Sequence, residues 1–173
     1  AEEDWTAAIK LDDSNSRDFV LRGDILYALG DYDKARADYA IAMGREEMHV
    51  EPVERMIRLL TTCPDESYRD TKLAVSLADS ACKMTGYADP RALVLLADTY
   101  AAVGNFDEAI RWQEQAIPLS PPAIQLELRK RIEQYEQANN AKGVEAQAAP
   151  DADEVTTPDS SEAGNVDQDK PPQ

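Results

Sequence analysis

The one histidine in the chain, His49, stands among Glu46, Glu47 and Glu51, and this is the nearest approach in 173 residues to a metal-ligating or acid–base constellation. A zinc site needs three or four such ligands held by regular structure, whereas this group falls in an irregular connection and is expected to be a solvated loop. Cys63 and Cys82 are too few for a disulfide framework and too far apart in sequence for a clustered metal site. They are expected to be small buried residues, with a single bridge as the alternative. Cys63 has no base or electropositive neighbour in sequence to make a reactive thiolate. The acidic pairs Asp12-Asp13 and Glu46-Glu47 are solvated faces of a very acidic chain. Trp5 and Trp112 invite ligand stacking, yet each falls near an apolar position of a helix and is expected to pack there. Met43, Met48, Met56 and Met84 form no stripe. No glycine-rich phosphate loop or dinucleotide fingerprint is present. The expectation is no catalysis, no metal and no cofactor.

The elements that carry these residues are constrained by bulk properties. A formal net charge of -16 repels nucleic-acid phosphates and anionic lipid headgroups, leaving basic or neutral protein surfaces as the expected partners. No apolar run approaches the roughly 18 residues that cross a bilayer, so no membrane insertion is expected.

Internal similarity is the strongest signal. Gly30-Asp31-Tyr32-Asp33-Lys34-Ala35 returns as Gly104-Asn105-Phe106-Asp107-Glu108-Ala109, 74 residues later. Ala74, Ala78 and Ala81 supply an intervening unit, set against Ala35, Tyr39 and Ala42 or against Ala109, Gln113 and Ala116. Ala1, Trp5 and Ala8 supply a half-unit before it. The lead alanines Ala1, Ala35, Ala74 and Ala109 lie 34, 39 and 35 residues apart, the excess falling in residues 43 to 54. This spacing, with Gly23 and Ala97 at equivalent places, resembles the 34-residue tetratricopeptide pattern of paired helices. The resemblance covers residues 1 to about 118 and implies an all-α fold, a right-handed superhelix of stacked antiparallel helix pairs. The unit holding Leu93, Leu96, Ala97, Tyr100, Ala109, Ala116 and Pro121 matches best. In the first full unit Arg22 and Glu47 depart from the pattern. Thr62-Cys63-Pro64-Asp65, with Ala81-Cys82 and Thr85-Gly86-Tyr87, resembles a bacterial variety of the repeat seen in planctomycete proteins.

Small Gly23 and Ala97, facing Ala35 and Ala109, are expected to let two helices approach closely. Gly30 and Gly104 are expected to end helices in the left-handed conformation, with Asp31 and Asn105 capping the next ones. Asp89-Pro90 and Ser120-Pro121 read as N-cap and first-turn proline. The organisation that follows is a repeat domain over 1–138, with a half-unit 1–13, units at about 16–49, 52–88 and 90–121, and an amphipathic capping helix 122–138. Met56 to Cys63, ahead of Pro64, predicts a short first helix for the middle unit. Residues 139–173 lack apolar periodicity and are expected to be an acidic disordered tail.

Arg17, Val20, Asp24 and Tyr27 share one helical face, offset from the core face of Phe19, Gly23 and Leu26, and Arg91, Val94, Asp98 and Ala101 repeat it. In the resembled family these positions line a concave groove for an extended peptide or a partner helix. The alternative is a surface ladder in which Arg and Asp pair between neighbouring helices. Val20 and Asp24 stand where the family's carboxylate clamp would need Lys and Asn, and Asp98 adds negative charge, so a C-terminal carboxylate is not the expected ligand. The expected function is non-catalytic binding of a protein or peptide. The alternatives are a regulatory or targeting segment of a larger enzyme with an upstream catalytic domain, and a spacer. The opening half-unit lacks its partner helix, which predicts preceding repeats or self-association through the open N-terminal end.

Overall fold

The computed structural model describes residues 15–45 and 50–148, and every regular element among them is helical. The helices are α1 (Ser16–Leu29), α2 (Tyr32–Met43), α3 (Val50–Thr62), α4 (Thr71–Met84), α5 (Pro90–Ala102), α6 (Phe106–Ala116) and α7 (Pro122–Ala148), with single 3-10 turns at Glu66–Tyr68 and Ile117–Leu119. The half-unit 1–13 with Ala1, Trp5 and Ala8, the cluster of His49 with Glu46 and Glu47, and residues 149–173 lie outside the described residues. So does the open N-terminal end expected to self-associate.

Chain reversal within a pair is fixed locally. Gly30 has φ 83°, and the Asp31 N–H behind it donates to the Leu26 carbonyl at 2.9 Å. The Asp31 carboxylate then accepts from the Lys34 N–H and opens α2. Gly104, with φ 78°, and Asn105 repeat the arrangement, the Asn105 N–H reaching the Tyr100 carbonyl at 2.9 Å and the side chain accepting from the Glu108 N–H. Both glycines occupy left-handed backbone that a Cβ would strain. Asp89 caps α5 ahead of Pro90, accepting from the Arg91 N–H at 2.9 Å. Ser120 departs from the expected cap. Its hydroxyl donates back to the Ala116 carbonyl at 2.7 Å, because Ile117–Leu119 extends α6 by a tight turn, and α7 begins only at Pro122.

Ala35, Ala74, Ala97, Ala109 and Ala116 are all fully buried, as close helix approach requires. Gly23 meets a different neighbour from the one expected. A Cβ placed there would sit 2.6 Å from Cε1 of Tyr39, so the space left by the missing side chain is filled by that ring as well as by backbone approach. Arg22, at a position the repeat keeps apolar, is answered by Asp38 on α2. The guanidinium donates to both carboxylate oxygens, at 2.7 and 2.6 Å, and the buried carboxylate is thereby paired.

The middle pair corrects one boundary and the last helix another. α3 is not short: it runs from Val50, with Pro52 tolerated in its first turn, and ends at Thr62 before Pro64. Ile57 takes the place that Gly23 and Ala97 hold in the other pairs, while α4 buries Ala74, Ala78 and Ala81, so large and small exchange sides between the two helices. α7 does not stop at 138 but continues to Ala148. Its continuation is held by polar contacts that hydrophobic periodicity does not register. Asn139 donates to Asp107 at 2.8 Å, and Lys142 donates to the Gly104 carbonyl at 2.9 Å.

Successive helices pack side by side, and first helices also touch across the pairs, α1 against α3 and α3 against α5. One core runs through the stack from Leu26 and Tyr39 through Leu59, Leu60, Leu93 and Leu96 to Leu128. α7 occupies the place of a further first helix at the end of the row.

Candidate functional site

The first helices α3, α5 and α7 enclose an open groove of about 700 Å³. Its floor is apolar, from Ile57 on α3, Val94 and Leu95 on α5, and Leu128 and Ile124 on α7. Its rim is charged, with Glu51, Glu54, Arg58, Arg91, Asp98, Glu127 and Arg131. Ile124 remains 47% exposed although it faces this apolar floor, which makes it the uncovered part of the wall.

Of the eight positions expected on the groove, Arg91, Val94 and Asp98 line it, and Ala102 lines it in place of Ala101. The four from α1 do not. Val20 is buried with Phe19 and Ala42. Arg17 is exposed away from the groove, and Tyr27 packs edge-on against the Tyr32 ring at 5.3 Å, beneath the Arg58 guanidinium. Asp24 is spent on structure: it accepts from the Tyr39 hydroxyl at 2.9 Å and from Arg55 and Arg58 on α3 at 3.0 Å each.

The same spacing nevertheless finds the groove residues that were missed. Arg17-Val20-Asp24 and Arg91-Val94-Asp98 have counterparts in Glu51-Glu54-Arg58 on α3 and Ile124-Glu127-Arg131 on α7, each three and then four residues apart. The third member of each triplet alternates in sign along the stack. Asp24 binds Arg58, and Asp98 accepts from Arg131 at 3.0 and 2.9 Å and from the Tyr135 hydroxyl at 2.5 Å. The expected ladder therefore exists for the aspartates, though its partners are arginines of the next first helix rather than Arg17 and Arg91. Arg91 is held by Asp89 within its own helix start. The seams α1–α3 and α5–α7 are bridged in this way. Between α3 and α5, Arg58 and Asp98 each turn to an outer partner, so no ion pair of this kind joins those two helices among the described residues.

Neither cysteine supplies chemistry to this face. Cys63 and Cys82 are both buried with free thiols. Burial, reinforced by the charges of Asp79 and Asp89, pushes the Cys82 thiol up to about 11. A thiol-reactive reagent at pH 8 is therefore expected to leave Cys82 unmodified in the folded chain and to label it on unfolding in denaturant; rapid native labelling, read by peptide mass spectrometry, would contradict its placement. Trp112 stacks on Tyr87 with ring centroids 5.5 Å apart, as a packing residue at the core edge. No helix among the described residues is long and apolar enough to cross a membrane.

A row of helix pairs whose first helices form one grooved wall defines an α-helical repeat solenoid. Family models described as tetratricopeptide repeat match residues 1–48 and 90–122, and the chain is a tetratricopeptide-repeat protein. Neither match covers the middle pair, where Ile57 departs from the small residue of its neighbours. No curated protein matches the chain. Tetratricopeptide repeats are in general a protein–protein interaction fold.

Proposed function

We propose that this protein is a non-catalytic interaction module that holds a segment of a partner protein in the groove of α3, α5 and α7. The observation that carries the reading is an apolar groove across α3, α5 and α7, uncovered chiefly at Val94 and Ile124 and edged by charged side chains, on a wall where the ion-pair ladder is interrupted between α3 and α5. Helix-lined grooves with an apolar base and polar edges suit an extended segment or a helix face, the base supplying affinity and the rim register. The volume lies within the roughly 300–1,000 Å³ of ligand-sized clefts.

Site-specific photo-crosslinking tests this reading. A photoreactive residue at Arg91 on the rim or at Ile124 on the uncovered apolar wall, both exposed, is expected to give the same partner adduct, and one at Gln134, exposed on α7 outside the groove, is expected to give none. Equal adducts from all three positions, or adducts from Gln134 alone, would place binding elsewhere.

A further inference from the structure

The charges on the groove rim are not equally committed. Arg58 is taken by Asp24, Arg91 by Asp89 and Arg131 by Asp98, so each guanidinium on the rim already faces a carboxylate of the chain. The carboxylates are in surplus. Arg55 serves Asp24 at 3.0 Å and stands 3.7 Å from Glu51 and from Glu54, so three acids share a guanidinium whose closest partner is Asp24. Glu51 and Glu54 side chains are 49% and 57% exposed. Across the floor Glu127 lines the α7 wall with no ion-pair partner among the described residues. Negative charge that is shared on α3 and unpaired on α7 therefore stands on both walls of an apolar trough.

From this we infer that the groove takes a protein segment carrying an aliphatic side chain flanked by lysine or arginine, the aliphatic group entering between Ile57 and Ile124 and the basic groups reaching Glu54 and Glu127. The inference rests on the groove being the binding site and adds the chemistry of its occupant. Like charge placed on this rim would be left unpaired as water is excluded, which disfavours acidic segments. Residues 149–173 of the chain itself, with seven acidic residues against the single Lys170, are disfavoured on the same ground. Attraction by the total charge of -16 alone is a different matter, because it would act on any basic peptide and at any face.

Fluorescence-anisotropy titrations of the full chain separate these cases. Three labelled peptides of equal length are used: one of Lys, Leu and Ala, one of Glu, Leu and Ala, and one of Lys, Ser and Ala. The Lys–Leu peptide is expected to bind tightest. Glu54→Lys with Glu127→Lys is expected to weaken it roughly tenfold, while Glu133→Lys with Glu136→Lys, the same charge change on exposed positions outside the groove, shifts it less than about twofold. Circular dichroism verifies that both variants fold. Equal weakening by the two variants, or equal binding of the Lys–Ser peptide, overturns the inference in favour of bulk attraction. A Glu–Leu peptide that binds tightest and is lost on Ile124→Asp overturns the charge rule but leaves the groove as the site. Binding of the Lys–Leu peptide that survives Ile124→Asp unchanged, or binding of none of the three, counts against inference and groove together.

Discussion

Truncating Tyr39 to alanine is expected to lower stability by about 3–5 kcal/mol, the largest effect of any single side chain in the first helix pair. The ring is fully buried, lies against the bare backbone of Gly23, and its hydroxyl donates to Asp24. Alanine leaves a cavity that the two helices cannot close, since their separation is also held by the salt bridge of Arg22 with Asp38. Tyr39→Phe separates packing from hydrogen bonding. Asp24 would still accept from Arg55 and Arg58, so phenylalanine is expected to cost only about 1 kcal/mol. Urea denaturation followed by circular dichroism measures both. Because repeats contact only their neighbours, hydrogen exchange in Tyr39→Ala should accelerate in α1 and α2 before it does in α5 and α6. A loss under about 1 kcal/mol for alanine would show that Tyr39 does not hold this pair together.

Gly23→Leu is expected to destabilise the same contact from its other side. The first added carbon alone falls 2.6 Å from Cε1 and 2.9 Å from Cδ1 of Tyr39, inside van der Waals contact. The ring has no free direction to move, being buried and tethered through its hydroxyl. Helix propensity favours leucine over glycine by up to about 1 kcal/mol, but overpacking a closed contact costs about 1–3 kcal/mol and more when a branched group follows. A net loss is expected. Placed in the Tyr39→Ala background, the same leucine enters the vacated space and should restore part of the stability. The double-mutant cycle is expected to show favourable coupling of about 0.5–3 kcal/mol. Additive losses would mean that the two residues do not form the contact.

These two residues bear on the groove through Asp24, which anchors Arg55 and Arg58 and so ties the α3 wall to the first pair. Polar pairing of this kind is weak at exposed positions, but here it joins the α3 rim, with Glu51 and Glu54 beside Arg55, to the first pair.

The helix pairs were legible in the residues because their determinants are local. Gly30 and Gly104 turn the chain, Asp31 and Asn105 restart it, and Ala35, Ala74, Ala97, Ala109 and Ala116 mark the buried faces, each effect acting within a few residues or at a fixed helical period. Periodicity gives the angle of a side chain on its own helix and says nothing of what stands opposite. Val20 and Val94 share an angle, yet one is buried beside Phe19 and the other lines the groove. The end of α7 escaped the sequence for a related reason, since Asn139 and Lys142 are held by acceptors more than 30 residues away, not by an apolar stripe. The alternation of Asp24, Arg58, Asp98 and Arg131 was present in the sequence as spacing alone. Which of them join, and hence which seam carries no ion pair, depends on distances between helices that only packing of the whole stack determines.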